Sequence, residues 1–424
     1  MYNEYIKIDM ERSYAIGKRT LTDPFIILEE GAMLIYDELL KIEKDKFDFE
    51  QFCVFFGTKY SAPVDIIQED VKLVIDALER NELESTVPII TENTYQTAFG
   101  YYNRQNKIFK TFIELTYSCN LKCKHCYLGT DINSFKTKMN YEVVKDVLNQ
   151  LHDAGCIETT FTGGECFKNP DALKIIKYAC EKGFIVSVLT NGTLLTEKEC
   201  CELVELPISE VRISLYGLET SHDEFVGVEG SFDKSVKTLS RLNYYRPGIA
   251  MASTVITRNN YQDVVELYEF LKNKKIRHKI TPLIYPTTKG DLSPTKLRVT
   301  SSQLNELFKK GLINAQKTMC AAGRARLRID PNGNINPCEL FRDICFGNIL
   351  EQRLDEILDS STRKTWIRKL NQELERSECN KCNKNALCPQ CIGVGYLENG
   401  NFHDKPTAIC HIVNAKICSE EDKV

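Results

Sequence analysis

The stretch FIELTYSCNLKCKHCYLG, Phe112–Gly129, decides how this chain is read. A β-prone run leads straight into Cys119, Cys123 and Cys126, spaced by three and then two residues. A structural zinc takes four protein ligands and a [4Fe–4S] cube has four irons, so three thiolates leave one metal position open. His125, inside the loop, reads as a spacer, because a fourth ligand there would close that position.

Outward from the loop, apolar runs of strand length alternate with helical patterns. FIELT, IETTFTG, FIVSVLTNG, EVRISLYG, IAMASTVIT and RHKITPLIY read as strands, with YEVVKDVLNQLHDAG, DALKIIKYACEKG and NYQDVVELYEFLKNKK among the helices between them. Six such units predict an α/β fold, a partial (β/α)6 TIM-like barrel over residues 111–300 with its site at the C-terminal strand ends. Two more strand ends carry turns suited to that site: Thr162, Gly163, Gly164 and Glu165 after the second strand, and Thr190, Asn191 and Gly192 after the third. Either turn alone is ordinary. On successive strand ends beside the cysteine loop they make a candidate site.

The chain of 424 residues holds 18 cysteines, and its start, MYNEYIKIDMERSY, lacks the apolar core of a secretory signal. A cytoplasmic location is expected, where so many thiols favour metal or redox chemistry over disulfides. Nine of them lie between Cys320 and Cys418, which makes residues 301–424 a metal-built module. A zinc ribbon needs roughly 15 to 20 residues between its CxxC pairs, but only five separate Cys382 from Cys388, so cube clusters suit these thiols better. Cys53, Cys156, Cys166, Cys180, Cys200 and Cys201 read as small apolar packing residues. A net charge of −4, and no apolar run near membrane-spanning length, argue against nucleic acid and membrane partners.

These motifs resemble the radical S-adenosylmethionine enzymes, whose CxxxCxxC loop holds a [4Fe–4S] cluster with the cofactor on its fourth iron. The resemblance implies that Cys119, Cys123 and Cys126 hold that cluster, and that Tyr127 lies by the adenine. It also implies that the turn at Gly163, Gly164 and Glu165 meets the cofactor's amino group, and that Ser214, with Asn191 nearby, reaches the ribose. Two positions depart from the pattern: Tyr216 replaces the usual acid, and Val226 stands where many relatives carry Arg. The C-terminal cysteines resemble the SPASM extension, which carries two auxiliary [4Fe–4S] clusters, for a total of three. By that resemblance Cys320, Cys338 and Cys391 hold the inner cluster and Cys379, Cys382, Cys388 and Cys410 the outer one, although Cys388 and Cys391 are one residue closer than is usual. Seven ligands serve eight positions, so either Cys345 closes the inner cluster or its last iron is open to a substrate thiolate; Cys418 is a bystander.

Residues 1–90 read as a winged-helix-like unit: strands in EYIKI, SYAIG and PFIIL, then three helices, the last with Ile66, Val71, Val74, Ile75 and Leu78 at helical spacing. Residues 1–80 carry 10 Lys+Arg against 17 Asp+Glu, which disfavours phosphate binding. The unit resembles the peptide-recognition element of peptide-modifying enzymes, in which a leader peptide adds beside the third strand. Residues 91–110 would then be a linker. The whole resembles ribosomal-peptide maturases that form sactipeptide or ranthipeptide thioethers. That implies a ribosomally made precursor peptide as partner, an electron donor such as flavodoxin or ferredoxin, and a Cys sulfur-to-carbon crosslink as product. Carbon–carbon crosslinking, a formylglycine-forming enzyme and a noncatalytic peptide-binding adaptor are the alternatives. No general acid or base stands out, as fits chemistry carried by a cofactor.

Overall fold

The computed structural model describes residues 5–10, 13–18, 26–80, 94–129, 138–315 and 317–421. They fall in two compact units, Met1–Gln105 and Asn106–Val424. Among them no helix is long and apolar enough to cross a membrane.

In the first unit β1 (Tyr5–Met10), β2 (Ser13–Lys18) and β3 (Ile26–Glu29) form an antiparallel sheet in that order, so among the described residues β3 pairs on one side only. Helices α1 (Glu30–Leu39), α2 (Phe49–Tyr60), α3 (Val64–Arg80) and α4 (Thr94–Gln105) follow. Asp48 starts α2 by accepting from the Gln51 amide at 3.0 Å. Ile16, Leu28, Tyr36, Phe52, Cys53 and Phe56 close one core with Ile67, Val71, Val74 and Leu78 of α3. The buried stripe of α3 starts at Ile67, whereas Ile66 is 53% exposed, one position off the sequence expectation. The segment expected as a linker, 91–110, is helical over Thr94–Gln105 and enters a strand at Lys110; residues 91–93 lie outside the described residues.

In the second unit the six predicted strands are β4 (Lys110–Glu114), β5 (Glu158–Thr162), β6 (Ile185–Thr190), β7 (Glu210–Ser214), β8 (Ala250–Val255) and β9 (Arg277–Thr281), all parallel. Between and after them run α5 (Tyr141–Asp153), α6 (Ala172–Glu181), α7 (Glu197–Glu205), α8 (Glu219–Val226), α9 (Ser231–Tyr245) and α10 (Tyr261–Asn273). Odd-numbered residues of β7, such as Val211 and Ile213, join Val144, Leu148 and Ile176 of the helices in one core, while Glu210, Arg212 and Ser214 face the other way, into the barrel lumen.

The C-terminal region is not a separate layer. Its strand β10 (Arg326–Ile329) pairs parallel to β4, Lys110 opposite Arg326, and β11 (Asn334–Asn336) and β12 (Gly347–Asn348) extend the same sheet antiparallel. The nine-stranded order is β12-β11-β10-β4-β5-β6-β7-β8-β9. Helices α11 (Ser301–Lys309), α12 (Leu354–Asp359), α13 (Ser361–Arg376), α14 (Ile392–Asn399) and α15 (Thr407–Glu421) complete the unit. Trp366 of α13 packs edge-on to Phe341 at 4.8 Å and donates to the Ala322 carbonyl at 3.0 Å, which ties that helix beneath the β10 hairpin.

Candidate active site and thiol clusters

Four backbone hydrogen bonds lock the first cysteine loop. The Gly164 amide donates to the Thr116 carbonyl and the Glu165 amide to the Ser118 carbonyl, both at 2.9 Å. The amides of Lys122 and Lys124 donate to the carbonyls of Val226 and Phe225 at the end of α8, at 2.8 and 3.1 Å. A methyl group on Gly164 would sit 2.5 Å from the Ser118 carbonyl oxygen, and one on Gly163, whose φ is +137°, would overlap that of Thr116. These glycines therefore let β5 approach the residues just before Cys119. Val226 serves the loop through its backbone carbonyl.

The polar side chains expected at the cofactor are organised as follows. Glu165 is buried, and its carboxylate accepts from the Phe167 amide (3.0 Å), Thr190 Oγ1 (2.6 Å) and the Asn191 amide (2.7 Å), so it knots the ends of β5 and β6. Burial lifts its pKa against the pull of those donors. Asn191 donates to Asn120 Oδ1 at 2.9 Å, and Asn120 to Thr193 Oγ1 at 2.8 Å, which joins the cysteine loop to the third strand end. Ser214 ends β7 on the lumen face and hydrogen-bonds the Tyr216 side chain. Tyr216 is buried within electrostatic reach of Cys123, Cys126 and Cys119, and its ring lies 4.8 Å from that of His125 and 4.7 Å from that of Phe225. His125 is thus packed among aromatic rings; burial brings its pKa down to about 4, and its Nδ1 has no partner among the described residues. Tyr127, next after Cys126, has an Arg342 guanidinium 5.3 Å above its ring and Tyr285 edge-on at 6.4 Å.

The donor set fits an iron–sulfur cluster. Burial pushes all three loop thiols up, and Cys123 is further raised by Cys126 and Cys119, so the sulfurs share one pocket. The C-terminal thiols divide in two. Burial raises Cys338, with Glu339 and Cys320 adding to it, and Cys391 rises to about 11 through burial and Cys320. Separately, Cys388 reaches about 11 through burial, then Cys379, Cys410 and Cys382. Cys345 belongs to neither set: it is exposed, and its thiol donates to the Gly347 carbonyl at 3.2 Å. Among the described residues no three His, Cys, Asp or Glu side chains converge closely enough to hold one ion. Cys379, Cys388 and Cys410 of the outer set and Cys391 of the inner one line a common pocket with Leu374 and Phe402.

Sequence reading missed the charges that join the two regions. Glu114, the last residue of β4, is 1% exposed and accepts from Arg328 Nη2 at 2.6 Å and Arg342 Nη1 at 3.2 Å, and Arg342 Nη2 is paired with it as well. Burial opposes its ionisation, yet Arg342 and Arg328 hold its pKa down to about 2. Arg328 also reaches Asn336 Oδ1 (2.5 Å) and Tyr117 Oη (3.1 Å), and Tyr117 donates to Asp330 at 2.8 Å. Cys320 and Cys338 flank the N-terminal end of β10, since β11 returns antiparallel, whereas the Cys119 loop leaves the C-terminal end of its neighbour β4. Strand rise puts roughly 13 Å of lumen between those two levels.

A profile of the Radical SAM superfamily matches residues 113–271, and one for the SPASM iron-sulfur cluster-binding domain matches residues 320–383. The antilisterial bacteriocin subtilosin biosynthesis protein AlbA of Bacillus subtilis is 30% identical over 69% of this chain and 68% of its own length. An AdoMet-dependent heme synthase of Oleidesulfovibrio alaskensis is 24% identical over 68% of this chain and 83% of its own. In fold, the crystal structure of Streptococcus suis SuiB bound to S-adenosylmethionine superposes with a TM-score of 0.59 at 17% identity, covering 96% of this chain and 99% of SuiB. With the loop thiols at the strand ends and the cysteine-rich module beside them, the chain belongs to the radical S-adenosylmethionine superfamily, in the group whose partial barrel is followed by a SPASM iron–sulfur domain.

Proposed function

We propose that the chain is a peptide maturase that links a cysteine sulfur to a carbon of a ribosomally made precursor. The observation that carries the reading is the set of three thiols Cys320, Cys338 and Cys391, of which Cys320 raises the other two, with Cys345 turned away to Gly347. Three ligands on a four-iron cube leave one iron for a substrate thiol, which loses its proton on coordination. AlbA, a bacteriocin biosynthesis protein, and SuiB, solved also with its precursor peptide SuiA, support a peptide as substrate. The unpaired edge of β3 supports strand addition by a leader.

Cys119, Cys123 and Cys126 would hold the first cluster, with Tyr127, Gly163, Gly164, Asn191 and Ser214 around S-adenosylmethionine; Cys379, Cys382, Cys388 and Cys410 would hold the third. When bound, these groups supply the hydrogen-abstracting radical and the route for the surplus electron. The chain's own residues do the rest. Glu165 and Asn191 fix the cysteine loop against the strand ends. Tyr216, His125 and Phe225 wall it with apolar rings that exclude water. Tyr285, between Tyr127 and Cys391, closes the lumen toward the inner thiols.

The test is mass spectrometry of the precursor encoded beside the gene, after anaerobic turnover with reductant. A thioether leaves the peptide two hydrogens lighter with one cysteine shielded from alkylation. The same mass loss on a peptide whose cysteines are replaced would instead mean carbon–carbon crosslinking, and no loss would discard the maturase reading.

A further inference from the structure

The barrel lumen carries a cation with no ion-pair partner among the described residues. On β7, β8 and β9 the residues Ile213, Ala252 and Ile280 turn into the helical cores. Alternation then places Ser214, Ser253 and Lys279, which are aligned in register, together on the lumen face. Lys279 is exposed there and makes no hydrogen bond or ion pair among the described residues. The neighbouring lumen cations are matched. Lys110 pairs with Glu158, Arg212 with Glu210 and Arg326 with Glu339, and Arg277 donates to the Gly248 carbonyl at 2.6 Å.

Lys279 also sits among charges. Partial burial depresses its pKa, then the charge of Arg212, while Glu210 opposes and Lys110 adds last. Lys110 stands on β4, five strands from β9 in the sheet, so it acts on Lys279 across the curled interior. The inner thiols do not explain the surplus charge: Cys338 and Cys391 act on Arg326, whereas no cysteine is among the groups acting on Lys279. An ammonium without an ion-pair partner on the lumen face, beside cations that already have their own carboxylates, suits an anion.

We infer that Lys279, with Arg212 and Lys110 behind it, determines specificity by receiving a carboxylate of the peptide segment that enters the lumen. The carboxylate is that of an aspartate or glutamate side chain or of the peptide's C-terminus. The inference rests on the reading of the substrate as a peptide, and it names which peptides fit.

The experiment reads Lys279 itself. Cluster-loaded protein is acylated with an acetyl N-hydroxysuccinimide ester, and the rate at Lys279 is followed by peptide mass spectrometry, with Lys198, 87% exposed, as internal standard. Millimolar N-acetyl-aspartate and N-acetyl-glutamate N-methylamides probe side-chain carboxylates, N-acetyl-alanine probes a C-terminus, and N-acetyl-asparagine N-methylamide is the neutral control. One carboxylate class should slow acylation of Lys279 about fivefold relative to Lys198, the preference expected of one partly desolvated ion pair, while the neutral control leaves it unchanged. Which class protects identifies the source. Equal protection by the neutral control, no protection by any carboxylate, or the same protection by S-adenosylmethionine alone would overturn the inference. If the precursor is crosslinked while carboxylates leave Lys279 unprotected, only this inference falls. If no peptide is crosslinked, the functional reading falls and the acylation rates still decide Lys279.

Discussion

Replacing Glu114 by glutamine strikes the one anion that two buried guanidiniums share. Arg328 is 1% exposed and Arg342 12% at the side chain, so neither charge can turn to water when its partner is lost. Removing one member of a buried ion pair typically costs about 3–5 kcal/mol. An independent route agrees. Arg342 and Arg328 hold the carboxyl at about 2 in the folded chain against 4.5 for an ordinary glutamate, which at roughly 1.4 kcal/mol for each tenfold step is about 3 kcal/mol. Because the folded value is the lower one, this stabilisation is present above about pH 4.5 and is lost as pH falls toward 2, so at neutral pH all of it is available to lose. At roughly 2 °C per kcal/mol for a unit of this size, E114Q should unfold about 6–10 °C below the wild type in an anaerobic thermal scan at pH 7. R342Q should cost less than E114Q, because it leaves the Glu114–Arg328 pair intact. An E114Q midpoint within about 2 °C of the wild type would refute the reasoning, since it would mean the guanidiniums find water or other partners without cost.

Two more predictions concern the cysteines. G164A should drive the Ser118 carbonyl from its 2.5 Å approach and displace the first loop, so that anaerobically loaded protein loses about four of roughly twelve irons while the C-terminal thiols keep theirs; full iron content would show that the backbone yields. C391S and C410S should each remove about one cube's iron and the double variant about two, by iron analysis and Mössbauer area; a double variant no worse than either single one would mean the seven thiols form one site.

The parts of the fold legible in the sequence are those written as runs. The six barrel strands and α5, α6 and α10 lie within a few residues of the apolar patterns that announce them. Register between distant segments is not legible in that way. Nothing local in ARLRID says that β10 will lie beside β4 of the barrel, 216 residues earlier at the Arg326–Lys110 pair, because that choice is made by packing across the sheet. Its only sequence signal is the alternation of Arg326 and Arg328 with Leu327 and Ile329, which marks one polar face. Glu114 in FIELT is the matching signal, an acid inside an apolar strand, and a buried lone acid demands a partner. Helix α4 escapes for the opposite reason: its YYNRQ end is polar, and its stripe is carried by small or aromatic residues such as Ala98 and Tyr102.

Arg326 shows why the strand that joins the sheet also matters to the inner thiols. It lies at the first position of β10, its guanidinium is 4.3 Å above the Phe112 ring and is paired with Glu339, and Cys338 and Cys391 both act on it. Arg324, two residues earlier, donates to the Cys320 carbonyl at 2.8 Å. The inner set is thus bounded by two guanidiniums, while the exposed Lys405 and the half-buried Lys384 act on the outer set. A cluster is easier to reduce when cations surround it, because the added electron is stabilised, and the effect is larger in a buried site than at the surface. R326Q should therefore lower the midpoint potential of the inner cluster by on the order of 50 mV and leave the outer one within about 10 mV, read by electron paramagnetic resonance during a redox titration. Equal shifts of both clusters would mean that a change in the sheet, and not the local charge, was being measured. No shift of either would refute the argument, because removing a buried cation beside the inner thiols must disfavour the added electron.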